Sequence, residues 1–263
     1  MLQLHDAFHH PPAFMPYFPI GYPALDVSVD VIEALARGGA DLIEVGVPFS
    51  DPLADGPVIQ RATQIALQQG ATVAKCLAAV AELRRRGVTV PLVLMGYYNP
   101  LLAYGLPRLA AAAGAAEASG FIVPDLPPEE AGDLEAVLPA ALPLVRMLAP
   151  TTPPERAKRI AADARGFLYL VSVTGTTGAR SALPPGLPDF IARVRRDAPA
   201  NLPLCVGFGI ATPEQARAVG EYADGIIVGS ACVKAIGEAA DPVPAAEQFA
   251  REFKTALTAA ISK

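Results

Sequence analysis

Residues 41–57, DLIEVGVPFSDPLADGP, concentrate the groups best able to do chemistry. Glu44 lies inside an apolar run, and the two-residue period of a strand puts it on one face with Leu42 and Gly46. Burying a carboxylate without a partner is expensive. Such a glutamate is therefore either paired with a cation or held for proton transfer with a raised pKa. Neither the run nor the loop after it contains Lys or Arg. Asp51 and Asp55 follow in a loop punctuated by Pro48, Pro52, Gly56 and Pro57. Singly, Asp before Pro or Gly is ordinary turn chemistry, and Asp near a helix start is an ordinary cap. With Glu44 they suggest a division of labour: one carboxyl in a dry strand donates a proton, while another in a wetter loop stays ionised.

Three glycine-rich segments add a second chemistry: residues 172–180 (SVTGTTGAR), 207–210 (GFGI, with Gly207, Phe208 and Gly209) and 229–231 (GSA, with Gly229 and Ser230). Glycines let backbone N–H groups approach an anion, and a helix N-terminus adds a favourable dipole, so together they point to a phosphomonoester site. No nucleotide-loop lysine and no Gly-x-Gly-x-x-Gly after the first strand accompany them, which disfavours nucleoside triphosphates and dinucleotides. All three histidines (His5, His9, His10) fall in the first ten residues, so a multi-histidine metal site at strand ends is not available. None of the five lysines lies in a predicted strand, which argues against a strand-borne Schiff-base aldolase, and no Gly-x-Ser-x-Gly elbow occurs. The chemistry that remains is carboxylate acid–base catalysis on a phosphorylated organic substrate, without metal or covalent nucleophile.

Elements must bring these segments together. Short apolar runs at 14–20, 42–45, 91–95, 121–123, 142–148, 167–171, 204–206 and 225–228 read as strands. Amphipathic helices are predicted at 29–37, 58–69 continuing through 72–86, 101–113, 128–138, 153–164, 187–196, 213–219 and about 244–261. N-terminal signals stand at Asp26 before Ser28, Thr152 before Pro153, and Thr212 before Pro213. Eight alternating units in about 250 residues predict a (β/α)8 TIM barrel, an α/β fold, with a doubly wound open sheet as the alternative. Short extra N-terminal and phosphate-binding helices are expected beside the eight units. Absence of a Gly/Ser linker or low-complexity segment makes one domain over 1–263 the economical reading. Active sites in this fold form at the C-terminal strand ends, where the segments above lie.

The net charge of −5, from 21 basic and 26 acidic residues, argues against nucleic-acid or anionic-membrane binding by charge neutralisation. With 52% hydrophobic residues the chain is not disordered, yet no apolar stretch reaches the roughly 18–20 residues of a membrane span. Residues 1–12 lack a basic segment followed by an apolar block, so a cytoplasmic protein is expected. Cys76, Cys205 and Cys232 are odd in number and scattered, and read as buried thiols.

Residues 41–60 (DLIEVGVPFSDPLADGPVIQ), 95–100 (MGYYNP), 121–127 (FIVPDLP), 148–152 (LAPTT), 169–179 (YLVSVTGTTGA), and 207–210 with Gly229 and Ser230 form a set of long, specific strings. Through them the chain resembles the α subunit of tryptophan synthase. The resemblance implies a TIM barrel that cleaves indole-3-glycerol phosphate to indole and glyceraldehyde 3-phosphate. It also implies a β-subunit partner, expected in an α2β2 heterotetramer, that carries pyridoxal phosphate (PLP) and joins indole to serine; this chain would hold no cofactor and no metal. The family's two catalytic acids fall on Glu44 and Asp55. Tyr169 matches a substrate-side tyrosine, and Thr177 a loop threonine that bonds the loop aspartate on closure. Gly178, Gly207, Gly209, Gly229 and Ser230 match the phosphate cradle, while Phe208, Ile122 and Tyr17 fit the apolar walls of the indole pocket. The segment 48–53, with Pro48, Asp51 and Pro52, and the mouth at Asn99 and Pro100 correspond to surfaces that meet the β subunit. The alternatives are a stand-alone lyase releasing free indole, a catalytically silent activating subunit, and another phosphate-binding barrel enzyme.

Overall fold

The computed structural model describes residues 2–171, 186–207 and 209–259. Eight parallel strands run β1 (Ala13–Pro19), β2 (Ile43–Gly46), β3 (Leu92–Met95), β4 (Gly120–Ile122), β5 (Arg146–Leu148), β6 (Leu168–Val171), β7 (Leu204–Gly207) and β8 (Gly225–Val228). Their spatial order is β4-β3-β2-β1-β8-β7-β6-β5, and one bridge between Phe121 and Leu144 brings the two edges together. The sheet is thus a nearly closed TIM barrel, and the open-sheet alternative falls. Each predicted strand is found. The fifth is shorter than the apolar run 142–148 because Pro143 has no N–H to donate; its carbonyl accepts from Phe121 N–H at 2.9 Å, and the regular ladder begins only at Arg146.

The two faces of the strands divide the core. Alternate residues, among them Met15, Leu42, Val93, Ile122, Val145, Tyr169, Cys205 and Ile227, pack inside the barrel. Their neighbours, such as Phe14, Ile43, Val45, Leu94 and Phe121, pack outward under the helices. The helix Pro242–Thr258 lies against Leu25–Arg37, and its Phe253 stacks on Phe14 at 5.3 Å between ring centroids. Lys254 in turn pairs with Asp41, whose carboxylate accepts the Phe14 N–H at 2.7 Å, so this helix is tied to the start of β1.

An N-terminal 3-10 turn, Leu4–Phe8, closes the bottom of the barrel. Leu4 and Ala7 join the interior cluster, and Phe8 packs on Phe167 at 6.0 Å between ring centroids. Gly166 accommodates Leu4: a Cβ there would lie 2.4 Å from Leu4 Cδ1. The second expected extra helix is Ser230–Gly237, directly after β8.

Helix boundaries correct the sequence reading in several places, among them 128–138, which is a 3-10 turn Pro128–Glu130 followed by the helix Gly132–Val137. The single helix predicted at 101–113 is two, Tyr98–Tyr104 and Leu106–Ala115, separated by Gly105 at φ +96°, a conformation that ends a helix. The first helix starts at Leu25, so Asp26 and Ser28 lie inside it; Ser28 Oγ accepts from Gly21 N–H instead of capping. Thr152 does not cap the helix Pro154–Asp163 either, since its hydroxyl accepts from Ala149 N–H. Thr212 does cap its helix, accepting from Gln215 N–H at 3.3 Å. Among the described residues no helix is long and apolar enough to cross a membrane.

Candidate active site

Glu44 sits in the middle of β2, opposite Tyr17 on β1 and Val93 on β3, on the face that lines the barrel. It is 1% exposed, and its Oε1 has no hydrogen-bond partner among the described residues. Of the two ways to hold a buried glutamate, pairing with a cation finds no partner among the described residues. Burial in an apolar setting instead pushes the Glu44 carboxyl up to about 8, so it carries its proton at neutral pH.

Asp55 reaches the same space from the β2 loop. It does not cap the helix Pro57–Gln68, whose N-cap is Gly56. Its backbone is fixed within the loop, the N–H donating to Pro52 O at 3.1 Å and the carbonyl accepting from Gln60 Nε2 at 2.7 Å. That leaves the carboxylate facing inward, 6% exposed. Burial raises it to about 6, and the Tyr97 hydroxyl nearby opposes the rise. The two carboxyl groups thus differ in the required sense: near neutrality Glu44 is a proton donor and Asp55 an anion. Both act on Tyr17 and on Tyr169, whose buried hydroxyls are pushed up by desolvation and by the two acids. The barrel mouth therefore gathers Glu44, Asp55, Tyr17 and Tyr169, with Ile122 on the same interior wall as Tyr169.

Two strand-end glycines have a steric reason. A Cβ on Gly46 would lie 2.4 Å from the Tyr17 hydroxyl, and one on Gly207 would lie 2.2 Å from that of Tyr169. Each tyrosine lies flat over its neighbouring strand because no side chain stands there. Gly207 thus makes room for Tyr169, in addition to any approach of its backbone to an anion. Gly209 follows at φ +80°, where other residues are strained. Gly229 is the N-cap of Ser230–Gly237, so the free N–H groups of that helix point into the mouth beside β8. Ser230 Oγ is buried without a partner among the described residues, and the helix's only basic residue, Lys234, lies in its last turn. An anion held here meets backbone donors and a hydroxyl. Thr177, Gly178 and Phe208 lie outside the described residues.

The residues expected to face a partner lie on the rim. Asp51 and Asn99 are exposed, Pro52 and Pro100 half-buried, and Pro48 is buried beneath the loop. Close to them in sequence, Leu53 is 82% exposed and Leu102 50%, two of the three large hydrophobic side chains that stand in solvent among the described residues. Tyr97 escaped the sequence reading: inside MGYYNP it reads as a core aromatic, and its partner Asp55 is far away along the chain.

The profile of the family described as "Tryptophan synthase alpha chain" matches residues 6–261. The tryptophan synthase alpha chain of Chloroflexus aurantiacus is 52% identical over 248 residues, covering 93% of this chain and 92% of the relative. A tryptophan synthase chain from Mycobacterium tuberculosis superposes with a TM-score of 0.88 at 37% identity, covering 97% of this chain and 98% of that one. The tryptophan synthase alpha chain of Legionella pneumophila superposes with a TM-score of 0.89 at 34% identity, covering the whole of both chains. A barrel whose mouth holds a protonated glutamate beside an ionised aspartate is therefore matched in sequence and fold over nearly its full length, and the chain belongs to the tryptophan synthase alpha chain family.

Proposed function

We propose that Glu44 and Asp55 are the acid pair with which this chain carries out the family's lyase reaction, cleavage of indole-3-glycerol phosphate to indole and glyceraldehyde 3-phosphate. The observation that carries the assignment is the unpartnered Oε1 of Glu44, buried in the barrel interior on a carboxyl that holds its proton to about 8. Glu44 donates that proton to C3 of the indole ring. Asp55, ionised, accepts the ring N–H and stabilises the positive charge that protonation creates. The carboxylate left on Glu44 then takes the proton of the glycerol hydroxyl next to the scissile bond. The C–C bond breaks as its electron pair flows into the charged ring, releasing indole and an aldehyde, and Glu44 ends protonated as it began. The protonated indole is its own electron sink, so the scheme needs neither a lysine nor a cofactor from this chain.

Tyr169, Tyr17 and Ile122 form walls of the indole pocket, with Phe208, while Gly207, Gly209, Gly229, Ser230 and Gly178 cradle the phosphate, and Thr177 bonds Asp55 when the substrate is enclosed. Exposed Leu53 and Leu102 beside Asp51 and Asn99 support a docking surface for a β subunit, in an α2β2 assembly in which PLP belongs to the partner. That surface favours a subunit working in complex over a stand-alone lyase, and the intact acid pair disfavours a silent activator. The reaction would take place in the cytoplasm. Incubating the purified protein with indole-3-glycerol phosphate, with and without β subunit, is expected to release indole and to do so faster with the partner. No indole under either condition would overturn the reading.

A further inference from the structure

The loop that carries Asp55 leaves the barrel at Gly46 and returns to it only at the helix Pro57–Gln68, so something must fix the carboxylate between those anchors. The side chain that meets it is Tyr97, 4% exposed, at the end of the loop after β3. Its hydroxyl accepts the Ala54 N–H at 3.0 Å, and Tyr97 and Asp55 line the same small cavity. One oxygen thus grips the peptide that precedes the reacting group. The Tyr97 ring packs on Phe49, at the start of the same loop, with centroids 5.5 Å apart. The Tyr97 backbone is itself held, because Tyr97 is the N-cap residue of Tyr98–Tyr104 and the Tyr98 N–H donates to Asp125 of the β4 loop at 2.9 Å.

We infer that Tyr97 is a positioning residue for the lyase reaction, aiming the Asp55 carboxylate at the ring N–H of the substrate by holding the Ala54 peptide and Phe49 of its loop. The inference rests on the role proposed above for Asp55. The Tyr97 hydroxyl near Asp55 also favours the charged form of the carboxyl, opposing the rise that burial causes. It touches no reacting atom and acts only through Asp55. The hydroxyl hangs from the residue that begins the surface helix bearing Asn99, Pro100 and Leu102, so a displacement of that helix reaches the aspartate through a single side chain.

The test is a double-mutant cycle in indole release from indole-3-glycerol phosphate, using Tyr97→Phe, Asp55→Asn and the pair, each checked for parental circular dichroism and melting temperature. Tyr97→Phe keeps the ring and its packing on Phe49. It is expected to lower kcat about 10-fold with KM little changed, the scale of one lost hydrogen bond in the loop that carries Asp55, and to move the acidic limb of the pH profile upward. In the Asp55→Asn background the same change is expected to add less than about 2-fold, because the group it serves is gone. A parental rate and pH profile for Tyr97→Phe would overturn the inference and leave the acid pair standing. So would an equal loss in both backgrounds, the mark of a merely structural tyrosine. Parental activity of Asp55→Asn alone would remove the acid-pair reading and this inference with it.

Discussion

The two ends of the barrel are built from the same strands and solve opposite problems. At the bottom, Leu4, Ala7, Phe8 and Phe167 fill the interior with apolar groups, and Gly166 gives way to Leu4. At the mouth, the same inward-facing register delivers Glu44, Tyr169 and two glycines, and leaves the polar atoms Glu44 Oε1 and Ser230 Oγ buried without partners among the described residues. One end is optimised for burial. The other retains polar groups whose desolvation is a standing penalty, which is how an active site trades stability for chemistry.

The contrast breaks first at the acid pair. Glu44→Gln and Asp55→Asn are each expected to lower the rate of indole release by at least about 10²-fold while leaving the circular dichroism spectrum unchanged. Near-parental rates in either would remove that residue's role. At the other end, Leu4→Ala should cost about 2–4 kcal/mol in a urea titration, the scale of a buried leucine lost from a filled core, with kcat within about twofold of the parent. A large loss of activity there would mean that the two ends are not independent.

A third outcome sharpens the comparison, because the mouth should gain stability from the change that ruins it. The folded state holds the Glu44 proton from 4.5 up to about 8, where the unfolded chain has released it, so stability falls as pH rises through that window. Glu44→Gln removes the penalty. Its melting temperature is expected to match the parent below pH 4.5 and to exceed it by roughly 5–10 °C at pH 8. The smallest effect is on the parent itself: kcat/KM should rise as Asp55 ionises near about 6 and fall as Glu44 loses its proton near about 8, a bell measurable by indole release across pH 5–9. A flat profile would show that these two groups do not control the step.

The strands were legible because a parallel strand buried on both faces writes a plain apolar run, and β8 is found at its predicted boundaries, Gly225–Val228. The interior face of Glu44 followed from its period with Leu42 and Gly46. Ser230–Gly237 was not drawn as a helix from periodicity, since SACVKAIG has a single charged residue and no polar stripe to mark a turn. The short N-terminal helix was expected, but its seat as a plug was not legible, because Leu4 approaches Gly120 and Gly166 across the chain and nothing local requires that approach. Tyr97 was missed for the same kind of reason: its partner lies on another loop, and only the barrel brings them together. Local patterns report which face a residue takes, whereas contacts made by closure are written nowhere in particular.

Closure itself is uneven. Of the seven ladders, six join strands within the set β1–β4 or within the set β5–β8, and only β1 with β8 joins the sets. The Phe121–Leu144 bridge is the clasp on the opposite side. The molecule is in this sense two half-barrels, each continuous in sequence, bound edge to edge along one seam and hooked along the other. A chain nicked just before that clasp, at 138–142, would keep all seven ladders intact. Glu44, Asp55 and Tyr97 would all lie on the first piece, with Tyr169, Gly207 and Ser230 on the second. The division runs between the acids and the proposed anion cradle, so reassembly of the two pieces could be followed by the return of indole release.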